Sequence, residues 1–312
     1  MVITVHGGHN ANVPGASSLL DEVKEDRIIT ALVIQKLRVL GFTVYDTTDD
    51  MGMTPNAVLR NVVSNSNSYN ADLNVAIHFN AGAYDLAGDG RTTGTEVLVY
   101  SRETPAYLYA EAISTAISNL GFQNRGVQIR PNLYVLKYTR APTVLVECCF
   151  VDDADDAALY DADKMATAIV RGITGLALDP ALTRRYTAQF QQWLNAYFGT
   201  GINVDGLWGP RTRQAAIRAL QMELNHAYGA GLTPDGLWGP KTRAALVSVG
   251  PGDKGYLVRI IQGVLYARGY DPNGFDGVYG SGTKTAVWFF QRDKNLEATG
   301  TVDPKTWAAL LA

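Results

Sequence analysis

Residues 1 to about 178 alternate between short apolar runs with strand-like spacing and longer amphipathic runs with helical spacing. The predicted strands are Val2–Val5, Phe42–Tyr45, Leu73–Ile77, Glu96–Tyr100, Tyr134–Leu136 and Thr143–Glu147. The predicted helices run from Glu22 to about Leu40, Pro55 to about Ser64, Pro105 to Leu120 and Asp155 to Leu176. Strands that alternate with helices indicate a mostly parallel sheet covered by helices. The chain is therefore predicted to begin with an α/β domain, residues 1–178.

A second pattern follows Leu178-Asp179-Pro180, where a proline and charged residues interrupt the alternation. The segment Asp205–Thr212 recurs as Asp235–Thr242, and more loosely as Asp276–Thr283 and Gly300–Trp307. In each of the first three copies, Asp-Gly predicts a tight turn, and the glycine before Pro or Ser leads into a helix. Four turn-plus-helix units predict two small helical modules, residues 186–249 and 250–312, in which the repeated residues are mainly structural.

Composition narrows the classes of partner. The 312 residues carry a net charge of −3 with a pI near 5.8 and show no clustered basic run, which argues against a nucleic-acid ligand. No apolar run approaches the roughly 20 residues that span a bilayer, so no membrane insertion is expected. The adjacent Cys148 and Cys149 would point to opposite faces of a strand, so they are predicted to be unbridged buried residues.

Four polar residues lie where the predicted elements begin or end. His9 follows the first strand, His78 and Glu147 end later strands, and Glu22 begins a helix. Because the carboxyl ends of neighbouring parallel strands line one crevice, these side chains are expected to meet. A histidine at a strand end is also commonly a hydrogen-bonded structural residue, so this position alone leaves both roles open for His78.

The combination of these residues predicts an open zinc site. Catalytic zinc takes three protein ligands and leaves a fourth position for water, and two histidines with one glutamate meet that requirement. Such a metal polarises a scissile carbonyl, while a nearby carboxylate transfers the proton to the leaving amine. Glu147 is predicted to be that carboxylate, because an acid directly after four apolar strand residues is expected to be buried or to face a cleft.

A set of short motifs then gives a family resemblance over essentially all of residues 1–178. The motifs are Gly8-His9, Pro14-Gly15-Ala16, Glu22 at a helix start, Ile77-His78-Phe79-Asn80-Ala81, Asn124-Arg125-Gly126 and Val144-Leu145-Val146-Glu147. In this order they resemble the zinc-dependent N-acetylmuramoyl-L-alanine amidases of the amidase 3 type. The resemblance implies a six-stranded α/β sheet, Zn2+ bound by His9, Glu22 and His78, and Glu147 as the catalytic acid/base.

His6 competes with His9, since both flank the double glycine. The family pattern has Gly-His followed by Pro-Gly-Ala, which favours His9 as the ligand and leaves His6 as a strand-end residue that lines the site. Asn10-Ala11-Asn12 stands where the family often has further glycines, so the loop shape departs from the pattern.

The repeats resemble the small three-helix peptidoglycan-binding modules found beside wall hydrolases. The last copy matches best, with Gln262, Asp276-Gly277, Thr283 and Thr306-Trp307 in the expected order. The resemblance therefore implies an enzyme that hydrolyses the amide between N-acetylmuramic acid and L-alanine, with bacterial peptidoglycan as its partner.

Two other functions compete with this one. They are a zinc peptidase that cuts within the stem peptide and a non-catalytic wall-binding protein.

The amino terminus shows no basic leader, so no secretory signal is expected. The chain then resembles a phage endolysin made in the host cytoplasm that acts on the wall after release, or a lysis enzyme of a spore-forming mother cell.

Overall fold

The computed structural model describes residues 1–177 and 179–312, so Leu178, at the predicted domain boundary, lies outside the described residues. The chain divides into two compact units, Met1–Ile173 and Thr174–Ala312. Within the described residues, no helix is both long enough and apolar enough to cross a bilayer.

The first unit is built on one six-stranded sheet. Its strands are β1 (Val2–Gly7), β2 (Thr43–Asp46), β3 (Leu73–Asn80), β4 (Thr95–Val99), β5 (Asn124–Ile129) and β6 (Thr143–Phe150). They lie in the order β2-β1-β3-β6-β4-β5. All neighbours are parallel except β6 and β4, which are antiparallel. The prediction of a mostly parallel sheet is therefore confirmed.

Six helices accompany these strands. They are α1 (Glu22–Val39), α2 (Pro55–Asn67), α3 (Ala106–Ser118), α4 (Tyr134–Tyr138), α5 (Ala154–Leu159) and α6 (Ala162–Thr174). Valines of α2 pack with Val135 and Leu136 of α4 against Ala76, Leu98 and Leu145 of the sheet. The alternate residues Val75, Ile77, Val144 and Val146 point to the opposite face and are also fully buried. Both faces of the sheet are therefore covered.

One predicted strand was wrong. Tyr134–Leu136 lies in the short helix α4, and the remaining strand of the sheet is β5, Asn124–Ile129. A short apolar run cannot be assigned to strand or helix by periodicity alone, and here one helical turn buries Val135 and Leu136. Strand β5 is the outermost strand, next to β4 alone. It is polar and partly exposed, so it lacks the apolar signal of a buried strand. The predicted helix Asp155–Leu176 is two helices, α5 and α6.

The described residues of the second unit form six further helices. They are α7 (Pro180–Phe198), α8 (Pro210–Tyr228), α9 (Pro240–Ala244), α10 (Tyr256–Ala267), α11 (Ser281–Asp293) and α12 (Pro304–Leu310). Aromatic rings join the two halves of the repeat array: Tyr186 stacks on Tyr266 with centroids 4.0 Å apart, and Trp193 meets Tyr256 at 5.5 Å. The repeats therefore pack against one another within this unit.

A buried glutamine organises each repeat. In the first, Gln191 Nε2 donates to Asp205 Oδ1 at 2.7 Å, to the Leu207 carbonyl at 3.1 Å and to Thr212 Oγ1 at 2.9 Å. Its Oε1 accepts from the backbone N–H of Gly206 at 2.8 Å. The same contacts recur around Gln221 and Gln262, and a shorter version surrounds Gln291. The repeated Asp-Gly and Thr residues thus have a structural role.

Candidate metal centre

The topology brings the four predicted site residues to one edge of the sheet, the edge at which β1, β3 and β6 end. Strands β1, β3 and β6 are parallel neighbours, so their carboxyl ends lie together. His9 follows β1, and His78 on β3 is in register with Glu147 on β6. Glu22 is the first residue of α1, where the Asp21 side chain caps the helix by accepting from the Lys24 N–H at 3.0 Å.

Three of these side chains form a compact cluster. One potential ligand atom from each of His9, Glu22 and His78 lies within 4.8 Å of the others. Glu22 Oε1 is 3.2 Å from His78 Nδ1 and 3.6 Å from His9 Nε2. Glu22 is nearly buried, whereas the His9 side chain is 30% exposed, so the cluster opens on the His9 side. Two imidazole nitrogens and one carboxylate oxygen, with one side open, are the donor set that catalytic zinc uses.

Backbone groups fix the Glu22 carboxylate. Its Oε1 accepts from the Phe79 N–H at 3.0 Å, and its Oε2 accepts from the Ala16 N–H at 2.8 Å. Burial by itself raises the pKa of Glu22, but the hydrogen bond with His78 and the nearby charge of His9 outweigh burial and leave the pKa lowered. Glu22 is therefore ionised at neutral pH, as a metal ligand must be.

Asp26 and Arg27 hold the loop that carries His9, and sequence reasoning missed both. The buried Asp26 Oδ2 accepts from the N–H groups of Gly8 and His9 at 3.0 and 3.2 Å. Arg27 donates from Nη2 to the His9 carbonyl and from Nη1 to Asp26 Oδ1. The available signal was the spacing: Asp26 lies four residues after Glu22 and therefore on the same face of α1.

Two glycines allow the loops to approach the cluster. A side chain at Gly8 would collide with the His78 ring, and one at Gly15 would collide with the Glu22 carboxylate and the His9 ring. These glycines match the Gly8-His9 and Pro14-Gly15-Ala16 motifs. Their role is to leave space for the backbone beside the cluster.

His6 is placed differently from His9. It is almost completely buried, its Nδ1 lies 3.1 Å from the Gly7 carbonyl, and burial lowers its pKa to about 4. Within the described residues, His6 is not among the side chains that lie close enough to share an ion with His9, Glu22 and His78. The geometry thus favours His9 over His6 as a ligand.

Glu147 lies beside the cluster without joining it. Its Oε2 is buried and has no hydrogen-bond partner among the described residues. Burial raises the pKa of Glu147 to about 7; the His78 charge opposes this rise, and the charges of Glu22 and Glu96 add to it. A carboxyl group with a pKa near neutral can both accept and donate a proton.

Glu96, which sequence reasoning also missed, lies next to Glu147 along the same edge of the sheet. Glu96 on β4 is in antiparallel register with Glu147. Its Oε1 accepts from Asn80 Nδ2 at 3.1 Å, and its Oε2 accepts from Arg125 Nε at 3.2 Å. Arg125 lies within a family motif but had no predicted role, because its contact with Glu96 depends on the pairing of β5 with β4.

Comparison with known proteins agrees with this arrangement. Residues 2–175 match the family described as N-acetylmuramoyl-L-alanine amidase, and residues 186–246 and 254–310 each match a peptidoglycan binding domain family. An uncharacterized 38.4 kDa protein of Clostridium perfringens is 36% identical over 177 residues, 55% of this chain and 51% of that protein. The N-acetylmuramoyl-L-alanine amidase CwlM of Bacillus licheniformis is 29% identical over 216 residues, 66% of this chain and 78% of CwlM.

The solved structures that resemble the first unit include an endolysin domain. It is the catalytic domain of the CD27L endolysin targeting Clostridia Difficile, with 25% identity and a TM-score of 0.50. The match covers 55% of this chain and 96% of that domain. The chain spans about half the length of the clostridial relatives it matches.

Proposed function

This chain belongs to the N-acetylmuramoyl-L-alanine amidase family, and we propose that it hydrolyses the amide bond between N-acetylmuramic acid and L-alanine in bacterial peptidoglycan. The observation that carries this proposal is the cluster of His9, Glu22 and His78 with Glu147 beside it. Similarity to an amidase and to an endolysin catalytic domain supports it.

We propose that His9, Glu22 and His78 hold Zn2+. When bound there, zinc would polarise the scissile carbonyl and make water a better nucleophile at neutral pH. The residues around the ligands supply rigidity: Asp26 and Arg27 hold the His9 backbone, and the N–H groups of Ala16 and Phe79 hold Glu22. Such support keeps ligands oriented for the metal.

Glu147 is the proposed acid/base. In this role its carboxylate accepts a proton from the attacking water and returns it to the departing amine of L-alanine. Its unpartnered Oε2 and its raised pKa support the assignment, because the oxygen is free to accept a proton that is then readily released. Hydrogen bonds of Glu22 to two N–H groups give that residue the opposite character, an ionised ligand.

The repeats are proposed to bind the wall. Residues 1–178 would act as the catalytic domain, and residues 186–249 and 250–312 as two peptidoglycan-binding modules. The two matches to the peptidoglycan binding domain family support this division. By similarity to an endolysin, we further propose that the protein is made in a host cytoplasm and reaches the wall after release.

Product analysis tests the function. Purified protein is assayed for bound metal and then incubated with walls before and after chelation. The expected result is a peptide with a new L-alanine amino terminus, an intact glycan chain, and loss of activity with the metal. Cleavage within the peptide would instead identify a zinc peptidase, and wall binding without any product would identify a non-catalytic protein.

A further inference from the structure

The polar edge of the sheet extends past the proposed catalytic residues to Arg125. Strand β4 runs opposite to β6, and β5 runs parallel to β4. The amino ends of β4 and β5 therefore lie at the same edge as the carboxyl ends of β3 and β6. This places His78, Glu147, Glu96 and Arg125 on four successive strands along one edge.

Arg125 is fixed by two contacts. Its Nε donates to Glu96 Oε2 at 3.2 Å, and its Cζ lies 5.1 Å from the centre of the Phe150 ring on β6. Glu96 is itself held by Asn80, and its side chain is only 12% exposed. The contacts reduce the conformational freedom that Arg125 would lose on binding a ligand.

The outer face of the guanidinium stays available. The Arg125 side chain is 39% exposed, and neither Nη1 nor Nη2 has a hydrogen-bond partner within residues 1–177 and 179–312. The salt bridge to Glu96 occupies only Nε, so the N–H groups of both Nη atoms can still donate. A planar fork of this kind matches the two oxygens of a carboxylate.

The chemistry of the proposed substrate says which part can supply that carboxylate. The lactyl carboxyl of N-acetylmuramic acid is consumed in the amide that is cleaved, and N-acetylated sugars are uncharged. Free carboxylates therefore belong to the peptide. Two strand spacings separate β5 from β6, which is about 10 Å, or roughly three residues of extended chain.

We propose that Arg125, held by Glu96 and Phe150, binds a carboxylate of the substrate peptide within about three residues of the scissile amide. This inference rests on the proposed amidase activity and assigns the peptide a fixed direction, from Glu147 on β6 towards β5. Arg125 would set specificity and binding, and would take no part in proton transfer.

A matched pair of soluble muropeptides tests the inference. The two substrates differ only in the first three peptide residues, whose carboxylates are free in one and converted to primary amides in the other. Steady-state kinetics are measured for the wild-type chain, Arg125→Gln, Arg125→Lys and the control Arg130→Gln. Arg130 is an exposed arginine just beyond the other end of β5.

The expected result is a rise in KM of about 10- to 100-fold for the carboxylate substrate in Arg125→Gln, with kcat within about twofold. The same variant should treat the amidated substrate like the wild type. Arg125→Lys should lose part of the preference, because it keeps the charge and loses the fork. Arg130→Gln should match the wild type on both substrates.

Three distinct outcomes would overturn the inference. A wild-type chain that cleaves both substrates with equal kcat/KM would show that the carboxylate is not recognised, whatever the variants do. An equal loss on both substrates in Arg125→Gln would assign Arg125 a structural role. A wild-type chain that cleaves neither substrate would contradict the amidase activity itself, and the inference would fall with it.

Discussion

His9 and His78 come from different segments of the chain and lie in one cluster, but their backbones are held in different ways. His78 sits within β3, whereas His9 lies in a loop that depends on Asp26 and Arg27. His6, only three residues before His9, is buried on the strand itself. The three histidines therefore differ in burial and in backbone support, and we propose that only His9 and His78 are ligands.

Alanine substitutions test this distinction. His9→Ala or His78→Ala should abolish zinc binding and amidase activity together, since two remaining ligands hold zinc poorly. His6→Ala should keep the metal, although loss of a buried side chain should lower the free energy of unfolding by about 1–3 kcal/mol. Metal content and muropeptide hydrolysis are measured on each variant. A His6→Ala protein without metal, beside a His9→Ala protein that retains it, would reverse the assignment.

The two glutamates of the site should respond differently to the same substitution. Glu147→Gln should fold and keep zinc but lose at least about a hundredfold in kcat, the lower end of what a positioned acid/base contributes. Glu22→Gln should lose zinc affinity, because the amide replaces the ionised oxygen beside both histidines. Zinc titration and single-turnover kinetics compare the two variants. Retained turnover in Glu147→Gln would require a different proton carrier.

At the scale of elements, the repeats show how one side chain can organise a turn and a helix. Gln191 on α7 bonds both the Asp205-Gly206 turn and Thr212 at the start of α8. The residues that recur in the sequence are therefore partners in a single hydrogen-bond network. An apolar replacement leaves the buried Gly206 N–H without its hydrogen-bond partner, and this unmet donor costs more than the bond itself contributes.

The adjacent glutamines of α7 provide a matched pair for measurement. Gln191 is 1% exposed, whereas its neighbour Gln192 is exposed and makes none of these contacts. Gln191→Leu should lower the free energy of unfolding of the second unit by about 3 kcal/mol, and Gln192→Leu should change it by less than about 0.5 kcal/mol. Chemical denaturation of both variants is the measurement. Equal stability of the two would show that the network contributes little.

At the scale of the whole molecule, catalysis and wall affinity should be separable. The catalytic candidates lie within Met1–Ile173, and the repeats lie within Thr174–Ala312. Residues after Ile173 bond the second unit: the Ala177 N–H donates to the Gly269 carbonyl at 2.8 Å, and the Asp271 N–H donates to the Gly175 carbonyl at 3.1 Å. Fragments should therefore be divided after Ile173, since a division near Pro180 would remove these contacts.

Fragment 1–173 is expected to bind zinc and cleave soluble muropeptide but to lyse intact walls poorly. Fragment 174–312 is expected to sediment with walls without cleaving them. Linked binding sites raise avidity, because the second binding event becomes intramolecular. Sedimentation and turbidity assays on both fragments and the full chain decide the matter. Full lytic activity in fragment 1–173, or a second fragment that stays in solution, would refute an anchoring role for the repeats.

The sequence by itself determined the class of the fold and the identities of the candidate site residues. Alternating apolar periods predicted the parallel sheet, because strand and helix spacing are local properties of the chain. The motifs around His9, Glu22, His78 and Glu147 identified the family and proposed the ligands. The Asp-Gly repeats likewise revealed the second unit, since tight turns have local sequence requirements.

Only the tertiary structure decided the features that depend on which segments become neighbours. Strand β5 is held by its pairing with β4 and carries little apolar signal of its own, whereas Tyr134–Leu136 becomes helical where it packs beside α2. The reversal of β4 brings Glu96 beside Glu147 and allows Arg125 to join the edge. Asp26 was hidden for the same reason: the partners of a buried charge are set by packing between distant segments, which local periodicity does not encode.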